Sequence, residues 1–471
     1  MQRSHSGGFH LGFVSFCAAV TGIGGFLFGY DTAVINGANT FLQQHFQLDP
    51  EKDSLLIGLA TAAAIIGCVP GAMSAGFLSD RFGRRRILFL CALLYAVSGV
   101  LSAIPQNFVQ FVLARMLSGV AIGVSSMICP VYIAEIAPPA WRGRLGTLFQ
   151  LGIVIGIFIT LFANLTIQSL GDLDWNLRLG WRWMLAAEAL PALGFLLLLS
   201  RIPESPKWLI QAGREEEAAK TLRRIGGSSY AEAEVAAVRE VLAEEQGSFG
   251  ELFSAAYRLP LVIALVLMAG SQLCGINAIM YYSTDIFKNA TGDAQAAFHS
   301  SFCIGLVNLL ATFVAILLVD KAGRKPLLLV GNAVQVAALV TVGFLFAVNP
   351  HSPWLLWFVI LYTGAFATAM GPLPWVICAE IFPAKLRGRA MSIATFTIWT
   401  ACLLVVETVP ICMKSPQVGP RLTFWIYAAV SAVTFLLILV LLPETKGKSL
   451  EEIEKSWRKH DELVLERTTA E

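Results

Sequence analysis

Asp80-Arg-Phe-Gly-Arg-Arg85 returns 240 residues later as Asp320-Lys-Ala-Gly-Arg-Lys325. Two further segments return in the same order. Ala134-Glu-Ile-Ala-Pro138, followed by Arg142-Gly-Arg144, reappears 245 residues on as Ala379-Glu-Ile-Phe-Pro383, followed by Arg387-Gly-Arg389. Pro203-Glu204 reappears as Pro443-Glu444, again 240 residues on. Three motifs at nearly one offset are the mark of a duplication, so the chain reads as two like halves. Between the motifs lie apolar runs of about 20 residues, the length that crosses a bilayer as a helix. There are twelve, near 11–36, 54–79, 87–104, 108–133, 145–167, 181–201, 258–284, 297–319, 326–347, 354–379, 390–412 and 422–442.

Composition agrees with that reading. Of 471 residues 56% are hydrophobic and 14% charged, where a soluble domain carries roughly 25% charged residues. A chain this long cannot cover soluble domains with so few charges, which argues against a cytosolic enzyme. A formal charge of +2 argues against nucleic acid as a partner. The nine cysteines fall inside or at the ends of apolar runs without a C-x-x-C, so buried thiols are expected, with neither disulfide nor metal. The fold expected is an all-α membrane protein of twelve transmembrane helices in two pseudo-symmetric six-helix halves. Its expected divisions are 1–203, a linker at 204–256, 257–443, and a tail at 444–471.

Basic residues orient the spans. Arg81, Arg84, Arg85, Arg86, Arg142, Arg144, Lys321, Arg324, Lys325, Lys385, Arg387 and Arg389 occupy four short loops on one side. The opposite loops hold Lys52, Arg178, Arg182, Lys288, Lys414 and Arg421. The first group, twelve against six, is expected to face the cytoplasm together with both termini. In the linker, 214–224 and 230–245 have helical periodicity with one charged face, which predicts short amphipathic helices beneath the bundle.

Each repeated motif has a local role. Gly83 permits a tight turn between two spans, and the basic residues after it hold the turn at the membrane surface. Asp80, Arg84, Arg85, Glu135, Arg142 and Glu204 in one half, and Asp320, Arg324, Lys325, Glu380 and Arg387 in the other, all fall at neighbouring helix ends. Two readings stand: simple anchoring of topology, or ion pairs between the halves that part and re-form.

Ionisable groups deep in the spans are few, and each is costly there. Asp31 lies about five residues before the expected end of span 1, and Arg115 and Glu188 lie roughly seven residues into spans 4 and 6. With the assigned directions all three share one depth. An Arg stays charged and holds a nearby carboxylate ionised; separation of the two would favour the protonated carboxyl. Glu407, near an outer end, suits a carboxylate at a wet mouth.

Uncharged polar groups mark a different region. Gln150 stands in span 5, Ser271-Gln272 and Asn277 to Tyr282 in span 7, Asn308 in span 8 and Trp399 in span 11. In span 10, Gly371-Pro-Leu-Pro-Trp375 must break the helix and free backbone groups beside a cavity. Amides donate and accept as sugar hydroxyls do, and an aromatic face packs on a pyranose.

Together these residues resemble the sugar porter family of the major facilitator superfamily, over nearly the whole chain. The resemblance is carried by Gly25-Phe-Leu-Phe-Gly-Tyr-Asp31, Asp80 to Arg85, Arg142-Gly-Arg144, Pro203-Glu-Ser-Pro-Lys-Trp208, Gln272 to Asn277, Gly371 to Trp375 and Pro443-Glu-Thr-Lys-Gly447. It is strongest toward bacterial xylose, galactose and glucose proton symporters. The resemblance implies a major facilitator fold, alternating access, and import of a monosaccharide with a proton as coupling ion and no other cofactor. It places sugar contacts on Gln150, Gln272, Asn277, Tyr281, Asn308, Trp375 and Trp399, and proton coupling on Asp31 with Arg115; Glu188, at the same depth, is expected to join the coupling group by orienting Arg115. The duplicated cytoplasmic motifs become the gate. Facilitative members typically carry Asn where this chain has Asp31, so symport is favoured over a facilitative uniporter; a transporter-like sugar sensor and a polyol (inositol) transporter are the less favoured alternatives. The implied setting is the cytoplasmic membrane, with a single chain as the working unit and no nucleic-acid partner. Two departures bear on sugar identity: Ser271 and Ile398 stand where the family commonly has amides.

Overall fold

The structure is a computed structural model that describes residues 9–49, 52–138, 141–243, 250–382 and 384–444. Among the described residues, twelve helical segments are long and apolar enough to cross a membrane, from Leu11–His45 to Gly419–Leu441. No strand occurs among the described residues. A helix bonds its own backbone groups along its length, which is what a chain inside hydrocarbon requires. The protein is a multi-pass, all-helical membrane protein. Its chain forms two compact units. The first comprises Met1–Phe46 and Ala63–Glu245, and the second Gln47–Ala62 and Gln246–Glu471. The opening turns of span 2 (Ser54–Phe82) therefore group with the second unit, and the linker up to Glu245 groups with the first.

In the first unit, small residues set how closely spans 1 and 5 approach. A Cβ on Gly29 would run into the Ile153 carbonyl, and one on Gly156 into the Phe26 carbonyl. The Gly25-to-Gly29 and Gly152-to-Gly156 spacings thus form reciprocal close contacts, as small residues four apart do in membranes. Spans 2 and 4 repeat the device, with Gly119 against the Ala64 carbonyl and Gly67 against that of Met116. Span 1 reaches His45 rather than stopping near 36, because Asn36 and Asn39 are buried in the unit.

Three spans are not continuous helices. The break expected in span 10 is present: Trp354–Thr368 ends at Ala369, and Leu373–Ile381 follows. Pro372 and Pro374 have no N–H to continue the ladder. Span 7, read from sequence as one run over 258–284, is two helices, Ala255–Leu273 and Ile276–Thr291. Gly275 sits between them at φ 88°, a left-handed conformation that glycine adopts at little cost. The Tyr427 ring occupies the space where a Cβ would project. Tyr362 Oη donates to the Cys274 carbonyl at 3.0 Å and satisfies an acceptor that the break exposes. Span 6 starts before Trp181, with a π-helical turn at Asn176–Gly180, and loosens again at Ala187 and Glu188.

The linker contains helix Pro206–Gln211 and a helical stretch Glu215–Ala243 interrupted at Gly226 and Gly227. The two arms of that stretch match the periodic segments. Trp208, Leu209, Ile210 and Ala218 form a small apolar core with Val235 and Val238. Trp208 Nε1 donates to the Asp80 carbonyl at 2.8 Å, which ties the linker to the end of span 2.

Candidate functional site

Span 1, held against span 5 by its glycines, carries Asp31 into the centre of the first unit. Arg115 of span 4 meets it with a fork: NH1 donates to Oδ1 at 2.6 Å and NH2 to Oδ2 at 3.1 Å. NH2 also donates to the Asp31 carbonyl at 3.1 Å. Both side chains are 1% exposed. Glu188, equally buried, stands at the irregular turn Ala187–Glu188 of span 6, close to Asp31 and Arg115. Its Oε1 has no hydrogen-bond partner, and neither has Arg115 Nε. Two carboxyls and one guanidinium are thus buried close together, and the guanidinium fork is spent on Asp31. Tyr30 Oη donates to the Met184 carbonyl at 3.1 Å, and Tyr95 Oη shares a hydrogen bond with Ser125 Oγ at 3.0 Å in the shell around the cluster. Sequence reading did not single out these tyrosines; nothing local separates them from ordinary core residues.

The repeated motifs form the same device in each unit. Gly83 and Gly323 have φ of 96° and 90° with nearly extended ψ, a region open essentially to glycine. A Cβ on Gly83 would stand 2.5 Å from Glu204 Oε2, and one on Gly323 would stand 2.9 Å from Glu444 Oε2. The two carboxylates accept from the first free N–H groups of the following helices. Glu204 receives Arg85 N at 3.0 Å, and Glu444 receives Arg324 N at 3.1 Å and Lys325 N at 3.0 Å. A carboxylate there also suits the helix dipole. Arg84 pairs with Glu135 at 3.1 Å and with Asp80 at 3.0 Å, and Arg324 pairs with Glu380 at 3.1 Å. Arg85 Nε donates to the Leu199 carbonyl and Lys325 Nζ to that of Leu439, two acceptors again 240 residues apart.

Every one of these pairs lies inside a single unit. Within each unit they brace neighbouring helix ends. Ser205 adds a contact that sequence reading missed, donating to Glu135 at 2.6 Å. Arg142 is exposed and forms no ion pair among the described residues. The side chains of Asp320 and Arg387, and the tail beyond 444, lie outside the described residues.

In the second unit the break in span 7 gathers polar groups. Ser271 Oγ donates to the Met268 carbonyl, and Gln272 Nε2 donates to Ser271 Oγ at 3.1 Å. Across the break Asn277 Nδ2 donates to Gln272 Oε1 at 2.5 Å and reaches Cys402 Sγ of span 11 at 3.2 Å. Ser271, at a position where the resemblance leads one to expect an amide, thus fixes the neighbouring Gln272. Asn308, Tyr281 and Trp399 are buried and Trp375 is half-buried; Asn308 and Trp375 stand outside this hydrogen-bonded chain. Gln150, half-buried, belongs to the first unit. Ile398 is buried and apolar. Glu407 is half-buried, with Gly58 pressed against it: a Cβ there would stand 2.9 Å from its carbonyl oxygen and 3.2 Å from its carboxyl carbon.

Duplicated helical units with charges and amides buried among apolar spans define a membrane transporter. The model of the family described as "Sugar (and other) transporter" matches residues 16–457, and the chain belongs to that family. It is 42% identical over 461 residues to the arabinose-proton symporter of Bacillus subtilis (strain 168), covering 98% of this chain and 97% of that one. It is 36% identical to the D-xylose-proton symporter of Escherichia coli (strain K12), covering 93% and 94%. The partially occluded inward-open structure of the xylose transporter XylE from E. coli superposes with a TM-score of 0.82 at 34% identity, over 93% of this chain and all of that one. The protein is thus a transporter of the major facilitator fold and not an enzyme.

Proposed function

We propose that the protein imports a monosaccharide, a pentose or hexose, together with a proton by alternating access. The observation that carries this reading is the buried fork between Asp31 and Arg115 with Glu188 beside it. A charged cluster is too costly inside a membrane protein to be kept for packing alone. Loading a proton onto the cluster would loosen the fork, and releasing it would restore the pair, which couples proton occupancy to a change of packing. The names of the arabinose-proton and xylose-proton symporters that this chain resembles support the same reading.

Gln272, Asn277, Tyr281, Asn308, Trp375 and Trp399, with Gln150, are the residues assigned to the sugar. The linked Gln272 and Asn277 offer oriented amide groups beside a helix break, and Trp375 and Trp399 offer aromatic faces for a pyranose. The basic loops and both termini are assigned to the cytoplasmic side of the cell membrane, and a single chain suffices for transport. The intra-unit braces keep each half rigid while the halves rock, which is the part in gating assigned to the repeated motifs.

The reading is tested with Asp31→Asn in liposomes. Sugar counterflow should persist while proton-driven accumulation is lost. Loss of counterflow as well would place Asp31 in sugar binding or folding rather than coupling.

A further inference from the structure

At the ends of spans 3 and 6, under the linker helices, the first unit contains a cavity of about 510 Å³ that the transport site does not use. That volume is within the roughly 300–1,000 Å³ typical of small-molecule sites. Its lining includes five cationic side chains, Arg85, Arg86, Arg214, Lys220 and Arg224, against only two carboxylates, Glu204 and Glu217.

Both carboxylates are already engaged. Glu204 accepts from the backbone N–H groups of Arg85 and Ser205. Glu217 takes both arms of the Arg214 fork at 2.7 Å. The Arg85 guanidinium donates to the Leu199 and Ser200 carbonyls. That leaves three cations. Arg86 and Lys220 form no ion pair among the described residues, and Arg224 rests over the Phe13 ring at 4.0 Å. All three are exposed. They converge from different elements, Arg86 from the start of span 3 and Lys220 with Arg224 from the linker. A cavity with excess positive charge and spent carboxylates focuses potential that favours an anion.

We propose that this cavity binds a phosphate group through Arg86, Lys220 and Arg224. Guanidinium forks match phosphate oxygens in pairs, and the Lys ammonium adds a point charge. An anionic phospholipid presents such a group in its headgroup. A soluble phosphate offers the same oxygens, and the two sources are separable by experiment.

The test uses the purified full-length protein in neutral detergent. Short-chain phosphatidylglycerol and inorganic phosphate are titrated separately, and bound ligand is counted by native mass spectrometry. Saturable binding that weakens with salt is expected. The triple variant R86Q/K220Q/R224Q should bind at least roughly tenfold more weakly, while R86K and K220R, which keep the charge, should lose much less. Thermal unfolding and sugar uptake in phosphatidylcholine liposomes report that the triple variant is folded. If it is not, K220Q alone, on an exposed linker position, should still weaken binding measurably. Retention of phosphatidylglycerol without phosphate binding would identify the headgroup as the ligand, and phosphate binding that displaces the lipid would identify the phosphate group itself; both support the site. Binding of neither probe, or equal binding by wild type and charge-removed variants, would overturn it.

Discussion

Asp31 and Arg115 are each 1% exposed and share three hydrogen bonds. A buried pair of this kind adds little net stability, yet removing one partner strands a charge at a cost of about 3–5 kcal/mol. Arg115→Ala should therefore lower the unfolding temperature sharply, while Asp31→Asn combined with Arg115→Leu should recover most of the loss; thermal unfolding of the purified variants checks both. Equal instability of the single and double variants would mean that packing of the Arg115 stem, not its charge, matters. Trp375 faces a different demand. As a half-buried aromatic side chain beside the broken span 10, it should weaken sugar binding when changed to Ala without blocking insertion, and unchanged affinity by binding calorimetry would remove it from the site. The pairing of Asp31 with Arg115 was legible in the sequence because span direction converts residue number into depth, and two buried charges at one depth need each other. The Tyr95–Ser125 contact was not, since a hydroxyl in an apolar run reveals nothing about which neighbour it meets.

Helix ends and breaks show where local sequence suffices. Span 10 declared its break through two prolines, whose missing N–H groups leave no alternative. Span 7 did not, because a single glycine in an apolar run is compatible with a continuous helix. Its left-handed turn at Gly275 depends on Tyr427 and Tyr362, residues more than eighty positions away. Gly275→Ala should thus cost more than the roughly 1 kcal/mol expected of helix propensity and should disturb Gln272 and Asn277. Lower sugar affinity together with a lower unfolding temperature is the expected result. The turn glycines make a sharper case. Gly83→Ala forces a Cβ into the Glu204 carboxylate and carries backbone strain of order 1–3 kcal/mol. Because the damage runs through Glu204, combining it with Glu204→Gln should add less than the sum of the two single effects, by about 0.5–3 kcal/mol in a double-mutant cycle. Strict additivity would show that the carboxylate and the glycine act separately. The linker helices were legible from their charged faces, and the Gly226-Gly227 interruption falls between the two periodic segments.

At the scale of the whole molecule, the duplication visible as three repeated motifs is also a duplication of bonds. Glu204 and Glu444 cap corresponding helices, and Leu199 and Leu439 supply corresponding acceptors. The two units then differ in one feature of their interiors: the first buries the Asp31–Arg115 pair with Glu188, and the second links Gln272 and Asn277 across a helix break. On the proposed function, that difference suits coupling of a proton to a neutral solute, with the charged cluster assigned to the proton and most of the sugar contacts assigned to the second unit. Its most direct test is uptake by purified protein in liposomes with an imposed inward proton gradient, using labelled arabinose, xylose, glucose, galactose and myo-inositol with and without a protonophore. Accumulation of a pentose or hexose above its outside concentration, abolished by the protonophore, is the predicted result. Equilibration to the same level with and without the gradient would contradict proton coupling and leave the Asp31–Arg115 pair a fixture of the fold.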